Sequence, residues 1–290
     1  MTEKKKILFI VNPISGGKTL KNLEYEISQN LDLDTFDYSI YFTTGRGDAI
    51  KKASNSAKSN DIIVAVGGDG TINEIAQGLI GTQTALAIIP KGSGNGFSNY
   101  FNIPHNPSKA IKKLNGLKIK EIDTATFNHQ LFLSVAGMGF DATVAHAFDT
   151  FGKRGFLSYA WLTLREFINF KPSTYQIEID GNLIEEDAFL ITAANSNQFG
   201  NKAYIAPNAV IDDGLLELVI IKPFRFWQAP SIVYHLFNGS IQNCKLCQNL
   251  QGHKITIKSS DLIAQIDGEL TTAESINTIE ISASSLKMVV

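Results

Sequence analysis

The residues best suited to chemistry lie in residues 61–80, DIIVAVGGDGTINEIAQGLI. Ile62, Ile63, Val64 and Val66 read as a strand covered on both faces, and Ile72, Ile75, Ala76, Leu79 and Ile80 read as one face of a helix. Thr71 and Glu74 have the spacing of a capping box, which would fix the helix start there. Gly67, Gly68, Asp69 and Gly70 are then the strand-to-helix turn. Its glycines can take positive φ and approach a ligand, and the helix start offers N–H groups and a positive dipole end to a phosphate. Asp69 would repel a bare phosphate, so its chemistry would run through a divalent cation or a substrate hydroxyl. The plainer alternative is a tight turn with a solvated aspartate.

Two further loops share this composition. Residues 12–19, NPISGGKT, follow the apolar run 7–11, and Lys91-Gly92-Ser93-Gly94-Asn95-Gly96 follows the run 84–89 and Pro90. NPISGGKT departs from a Walker A loop only at Asn12, but the missing first glycine is the one that lets a P-loop curl round the β-phosphate. Two glycines also separate Val66 from Asp69, where a Walker B acid would end the strand directly. A P-loop NTPase is therefore set aside. In an open parallel sheet all carboxyl ends face one rim, so these loops are expected to gather there.

Two acidic turns complete the set. Asp212-Asp213-Gly214-Leu215 could bind a hard cation through carboxylate and carbonyls, or be simply a solvated turn. Asp267-Gly268-Glu269, after residues 262–266, reads as a hairpin turn. A phosphoryl transfer to a hydroxyl needs a carboxylate to take the proton, and the first half of the chain offers few acids besides Asp69.

Around these residues a strand is expected at 39–43, a polar helix at 49–58, an earlier helix facing inward through Leu20, Leu23, Ile27 and Leu31, and another at 108–114. Alternation then stops. Hairpins are expected about Asn128-His129 and Asp180-Gly181-Asn182, with strands at 215–221 and 254–258. Helices at 156–170 and 226–237 carry Trp161, Phe167, Trp227, Tyr234 and Phe237, which pack in a core or line an apolar cleft. The pattern is an α/β domain followed by a mostly β domain.

The composition is that of a globular protein, 290 residues with 44% hydrophobic and 19% charged, and the formal charge of -2 gives no basic field for nucleic acid. Cys244 and Cys247 form a lone C-x-x-C without a second pair, and no extended apolar segment opens the chain, so the cytoplasm is the expected compartment. A zinc site completed by His235 and His253 has no common spacing, and two small buried or half-buried thiols are the simpler reading. No run of 18 apolar residues could span a membrane, which leaves contact with a membrane surface open.

Eight segments in order resemble the diacylglycerol kinase catalytic family, in the bacterial lipid-kinase branch that also holds sphingosine and ceramide kinases: NPISGG at Asn12, TTGRGDA at Thr43, GGDGTINEIAQGL at Gly67, PKGSGNGF at Pro90, GMGFDA at Gly137, KRGFLSYA at Lys153, DDGLLEL at Asp212 and DGE at Asp267. The resemblance implies an N-terminal α/β nucleotide-binding domain, residues 1–122, to which a last strand at about 285–290 returns. It implies a C-terminal β-sandwich, residues 123–284, with a lipid cleft between the two. It further implies an ATP-dependent lipid kinase using Mg²⁺, in which Asn12, Pro13, Ser15, Gly16, Thr43, Gly67, Gly68, Asp69, Gly70, Thr71 and Ser93 meet nucleotide. Asp69 would lie near phosphates and metal, and Asp267 or Glu269 would accept the proton. Val210, Asp213 and Leu215 would hold a structural magnesium ion. A diacylglycerol-like or sphingoid-base acceptor, peripheral membrane contact and a homodimer are compatible with it. Where many relatives carry N-D-F this chain has Asn95-Gly96-Phe97, which bears on the acceptor. The alternatives are a soluble-substrate kinase of the NAD-kinase type and a nucleotide-binding regulator without turnover.

Overall fold

The computed structural model describes residues 3–15, 22–92, 94–151 and 156–290. It divides into two compact units, Met1–Ile122 with Ser284–Val290, and Asp123–Ala283.

The first unit alternates strand and helix: β1 (Lys5–Val11), α1 (Leu23–Asn30), β2 (Phe36–Phe42), α2 (Asp48–Ser56), β3 (Ile62–Gly67), α3 (Asp69–Leu79), β4 (Ala85–Pro90), α4 (Gly96–Tyr100) and α5 (Pro107–Leu114). The strands lie in the order β2-β1-β3-β4, all parallel, and Met288 near the chain end pairs with Leu86. Every residue of β3 and β4 is buried, as their unbroken apolar sequences require of strands covered on both faces. The α3 residues Ile72, Ile75, Ala76 and Leu79 supply one buried face, and Gly78 lets α3 lie against α2. A Cβ there would come within 2.8 Å of the Ala53 Cβ. Helix α5 starts where its sequence says it should, with Pro107 in the first turn and the Asn106 side chain accepting the Lys109 N–H.

The second unit contains most of β5 (Ile119–Phe127), then β6 (Gln130–Phe132), β7 (Val135–Gly139), α6 (Phe140–Phe151), α7 (Phe156–Asn169), β8 (Ser173–Ile179), β9 (Asn182–Ala188), β10 (Leu190–Ala194), β11 (Leu216–Ile221), α8 (Ala229–Phe237), β12 (Cys247–Gly252), β13 (Lys254–Lys258), β14 (Ile263–Ile266), β15 (Glu269–Thr272) and the first part of β16 (Ile276–Val289). One antiparallel sheet runs β12-β11-β10-β7-β14-β15. Strands β16, β13, β8 and β9 form an antiparallel ladder, and β5 pairs with β6. Period-2 alternation divides β11 between two cores. Leu216, Leu218 and Ile220 join Tyr175, Ile177 and Ile255 in the sandwich interior, while Val219 and Ile221 join Phe140, Val144 and Ile232 on the outer face under the helices.

Three hairpins among the described residues turn on two residues each, Asn128-His129, Asp180-Gly181 and Asp267-Gly268, all at positive φ. This is the mirror-image turn that matches strand twist.

Candidate active site

The loops after β1, β3 and β4 meet one another at the carboxyl end of the parallel sheet. The Asn12 N–H donates to the Val66 carbonyl at 3.0 Å, and its side-chain amide donates to Thr71 Oγ1 at 3.0 Å. Its Oδ1 accepts from the Ile14 N–H, so one side chain folds its own turn and ties it to the start of α3. The Lys91 N–H reaches the Gly67 carbonyl at 2.7 Å. Asp69 Oδ2 accepts the Asn95 N–H at 2.9 Å, so the acid braces the third loop from the second. Asn95 adopts a left-handed conformation, with its side chain bridging the Gly92 N–H and carbonyl. Thr43, at the end of β2, donates its N–H to the Val11 carbonyl at 2.9 Å. Asp48 closes the following turn on the Thr44 amide, and that bond holds its carboxyl below the usual range.

Two expectations about this rim are corrected. Helix α3 begins at Asp69 with Gly68 as its cap residue and no side-chain cap, so residues 69 and 70 are helix rather than turn. The capping box does not form because its members are used elsewhere. Thr71 receives the Asn12 amide, and Glu74 Oε1 accepts the Gly47 N–H at 3.0 Å. The glycines also serve space rather than φ. Gly68 has φ -94°, ordinary for any residue, but a Cβ on it would approach the Gly92 Cα to 3.2 Å. A Cβ on Gly67 would fall 2.5 Å from the Thr71 Cβ. Pro13 and Ser15 lie in the turn after β1, while Gly16 and Ser93, with Leu20 of the expected helix face, lie outside the described residues.

The second unit holds the remaining candidates. Asp267 and Gly268 form the turn between β14 and β15, and Glu269 is the first residue of β15, exposed. Asp267 is held on every side: its N–H donates to the Val135 carbonyl at 2.8 Å, and its carboxylate accepts the N–H groups of Leu133, Ser134 and Val135 at 2.9, 2.8 and 3.2 Å. The same short segment is gripped from its carbonyl side by Asn195. Its N–H bonds the Ser134 carbonyl, and its side-chain amide bonds the carbonyls of Leu133 and Asp123. The Asp123 carboxylate in turn accepts the Gly214 N–H at 2.7 Å, and its N–H donates to the Ile211 carbonyl. This shapes the turn that carries Val210, Asp213 and Leu215, where Asp213 Oδ1 accepts the Leu215 N–H. Among the described residues no three His, Cys, Asp or Glu gather as a metal cluster. The turn offers a different set, one carboxylate with backbone carbonyls, which suits a hard divalent cation that keeps several waters.

A model of the diacylglycerol kinase catalytic domain matches residues 6–127, and a model of the YegS C-terminal NAD kinase beta sandwich-like domain matches residues 134–290. The chain belongs to the diacylglycerol kinase family. It is 30% identical over 273 residues to the diacylglycerol kinase of Bacillus subtilis (strain 168), covering 91% of this chain and 90% of that protein. It is 31% identical over 185 residues to a YegS-like lipid kinase of Chromohalobacter salexigens, 61% of this chain and 60% of that one. A solved Bacillus anthracis (strain Sterne) structure assigned as a diacylglycerol kinase superposes with TM-score 0.83 at 27% identity, covering 100% of this chain and 96% of that one. The family makes the chain an ATP-dependent lipid kinase, a phosphotransferase with an alcohol group as acceptor.

Other features of this lipid kinase fall outside the sequence expectations. Asp123, Asn195 and Asp141 are buried polar residues to which the residue-by-residue reading gave no role, although Asp141 lies within the GMGFDA segment. Asp141, at the start of α6, accepts bonds from the Ala142 N–H, Thr192 Oγ1 and Gln265 Nε2. Burial outweighs these donors and pushes its carboxyl up to about 7. Cys244 is buried and Cys247 half-buried, both free, and burial raises the Cys247 thiol, the opposite of activation. His235 bonds Ser240 within its own turn, and His253 meets Asp180 of the distant β8–β9 turn, so both have structural partners. No helix among the described residues is long and apolar enough to cross a membrane.

Proposed function

We propose that this kinase phosphorylates a hydroxyl of a diacylglycerol-like or sphingoid-base lipid at a membrane surface, with the loops after β1, β3 and β4 as the seat for the triphosphate of ATP. The observation that carries the seat is their mutual bonding, Asn12 to Thr71, Lys91 to Gly67 and Asn95 to Asp69. It brings main-chain amides and the start of the eleven-residue helix α3 to one rim, where phosphate is favoured. Gly67 and Gly68 keep this rim free of side chains.

The lipid hydroxyl oxygen attacks the γ-phosphorus in line. An O–P bond forms, the bond from phosphorus to the β–γ bridging oxygen breaks, and ADP leaves with that electron pair. Asp267 or Glu269 takes the hydroxyl proton. Asp267 is oriented by the three amides of residues 133–135, which fix its plane and occupy three of a carboxylate's about four lone-pair sites. Glu269 is carried on the same hairpin, two residues on. A magnesium ion would supply neutralisation of developing phosphate charge; Asp69 would be the residue to hold it at the rim, and Asp213 with the Val210 and Leu215 carbonyls would hold a structural one.

The cytoplasm with transient membrane attachment follows from the substrate class rather than from any spanning segment. The test is labelled ATP offered to the purified chain with diacylglycerol, a sphingoid base and NAD, alongside Asp69→Asn. Label in a lipid product, lost in Asp69→Asn with the melting temperature retained, supports the reading. Label in NAD alone, or nucleotide-dependent stabilisation with no product, replaces it by a soluble-substrate kinase or a regulator.

A further inference from the structure

The bend that carries Asp267 and leads to Glu269 is held from two sides. On one, Asp267 bonds residues 133–135 through its N–H and its carboxylate. On the other, the Gly268 N–H donates to Gln265 Oε1 at 2.8 Å. Gln265 is 2% exposed, and its Nε2 donates to Asp141 Oδ2 at 3.2 Å. A main-chain N–H can only donate, so the Gln265 oxygen has to face Gly268 and its amide nitrogen has to face Asp141. A continuous row of bonds therefore runs from the buried acid at the start of α6, through Gln265 of β14, into the bend at Asp267-Gly268.

The acid is fixed at its own end. The Ala142 N–H donates to Oδ1 at 2.8 Å, and Thr192 Oγ1 of β10 donates to Oδ2 at 3.0 Å. All three donors serve the ionised form, and bonds to a charged acceptor are about twice as strong as neutral ones. Protonation therefore weakens the pull on Gln265, and burial pushes the carboxyl up to about 7, where that change falls near neutral pH.

Of the elements packed around the acid, β7, β10 and β14 carry no titratable side chain. On β15 Glu269 is exposed, on α6 His146 is exposed, and on α7 Arg165 and Glu166 pair with each other. Tyr175 of β8 donates its hydroxyl to Asp261; burial and that carboxylate, with a smaller part from Asp141, raise its phenol and keep it neutral.

We infer that Asp141 is a positioning residue: its carboxylate, acting through Gln265, sets the bend at Asp267-Gly268 and so aims the proton-accepting side chain of that hairpin. The inference rests on the proposed function for what the hairpin does, and on the hydrogen bonds for how it is held.

The full chain carrying isotope-labelled glycine tests the coupling by nuclear magnetic resonance, with Gly268→Asn to assign the Gly268 amide. In the parent that resonance should move as pH passes through about 7. It should stay still in Asp141→Asn and in Gln265→Met. Turnover of a dissolved short-chain diacylglycerol or sphingoid base reads the consequence. The parent's kcat should rise with pH through the same interval. Each variant should lose that limb, with kcat lowered by up to ~10²-fold, the cost of misplacing a group by about 1 Å. Because both residues act on one row, the double variant should be no slower than the slower single variant. Thr192→Val takes a donor from the carboxylate and none from the bend, so the limb should move to higher pH. KM for ATP should hold, since the loops proposed for its phosphates belong to the first unit.

A Gly268 resonance indifferent to pH in the parent, or titrating as before in Gln265→Met, overturns the inference. So does a lowered melting temperature in both variants with kcat and its pH profile intact, which leaves Asp141 a structural acid. Gly268 titrating with Asp141 in a protein that phosphorylates no lipid supports the positioning and removes the kinase reading instead.

Discussion

The Asp141 carboxylate occupies the space that a side chain on Gly137 would take: a Cβ built there would fall 2.1 Å from Asp141 Oδ2. Gly137 is the middle of a cross-strand row, paired with Thr192 on one side and Gln265 on the other, and both of those side chains donate to Asp141. Gly137→Ala is therefore expected to destabilise by ~1–3 kcal/mol or more, as overpacking does, in urea unfolding. A variant as stable as the parent would show that the acid can leave.

The same acid gives the chain a pH signature. An aspartate in an unfolded chain titrates near ~3.9, whereas folded Asp141 titrates at about 7. Between those values the folded state keeps a proton that the unfolded state has released. The contribution of this group is complete below the lower value and lost as pH rises through the upper, at up to ~1.4 kcal/mol per pH unit. Asp141→Asn should flatten that slope in unfolding curves taken across the interval. An unchanged slope would assign it to other groups.

Strands β3 and β4 and the hairpin turns were legible because their signals are local, apolar β-branched runs for the strands and the turn residues at Asn128-His129, Asp180-Gly181 and Asp267-Gly268, whereas β12 carried no such run and β16 begins at Ile276, well before the expected last strand. The start of α3 was misread because Thr71 and Glu74 match a local motif but bond to Asn12 and Gly47, which are distant in sequence. Positive φ and close approach to a ligand were both expected of Gly67 and Gly68; neither takes positive φ, and the space each leaves is filled by Thr71 and Gly92. The grip of Asn195 on residues 123, 133 and 134 had no sequence signal beyond an amide beside an apolar strand.

Gly68→Ala separates crowding from chemistry at the rim proposed to seat the nucleotide. The new methyl must push the Gly92 Cα from 3.2 Å, which displaces the third loop against the second. KM for ATP should rise by at least about tenfold, the loss of ~1.4 kcal/mol of binding, with a smaller change in melting temperature. Unaltered KM would place the phosphates elsewhere.

Asp267→Asn and Glu269→Gln distinguish the two residues proposed as proton acceptor. Asparagine can keep part of the bonding to residues 133–135 but cannot hold a transferred proton. The variant that removes the base should lose ~10²–10⁴-fold in kcat, the range for general-base catalysis, and the other should stay within an order of magnitude or so. Full activity in both would exclude the β14–β15 hairpin from proton transfer.

If the turn at residues 210–215 holds a cation, its contribution is separable from catalysis. Magnesium should raise the melting temperature of the parent relative to a chelator, and Asp213→Ala should erase that increment. An equal increment in both proteins would move the ion to another place.

Asp267 combines two requirements that are usually met by different residues. Its backbone is left-handed at φ 50°, which only glycine, asparagine and aspartate adopt readily, and its carboxylate secures residues 133–135. Lengthening this acid to glutamate would therefore misfit the bend and release the neighbouring segment together. Anyone seeking to retune the proton affinity here would have to redesign the hairpin as a whole.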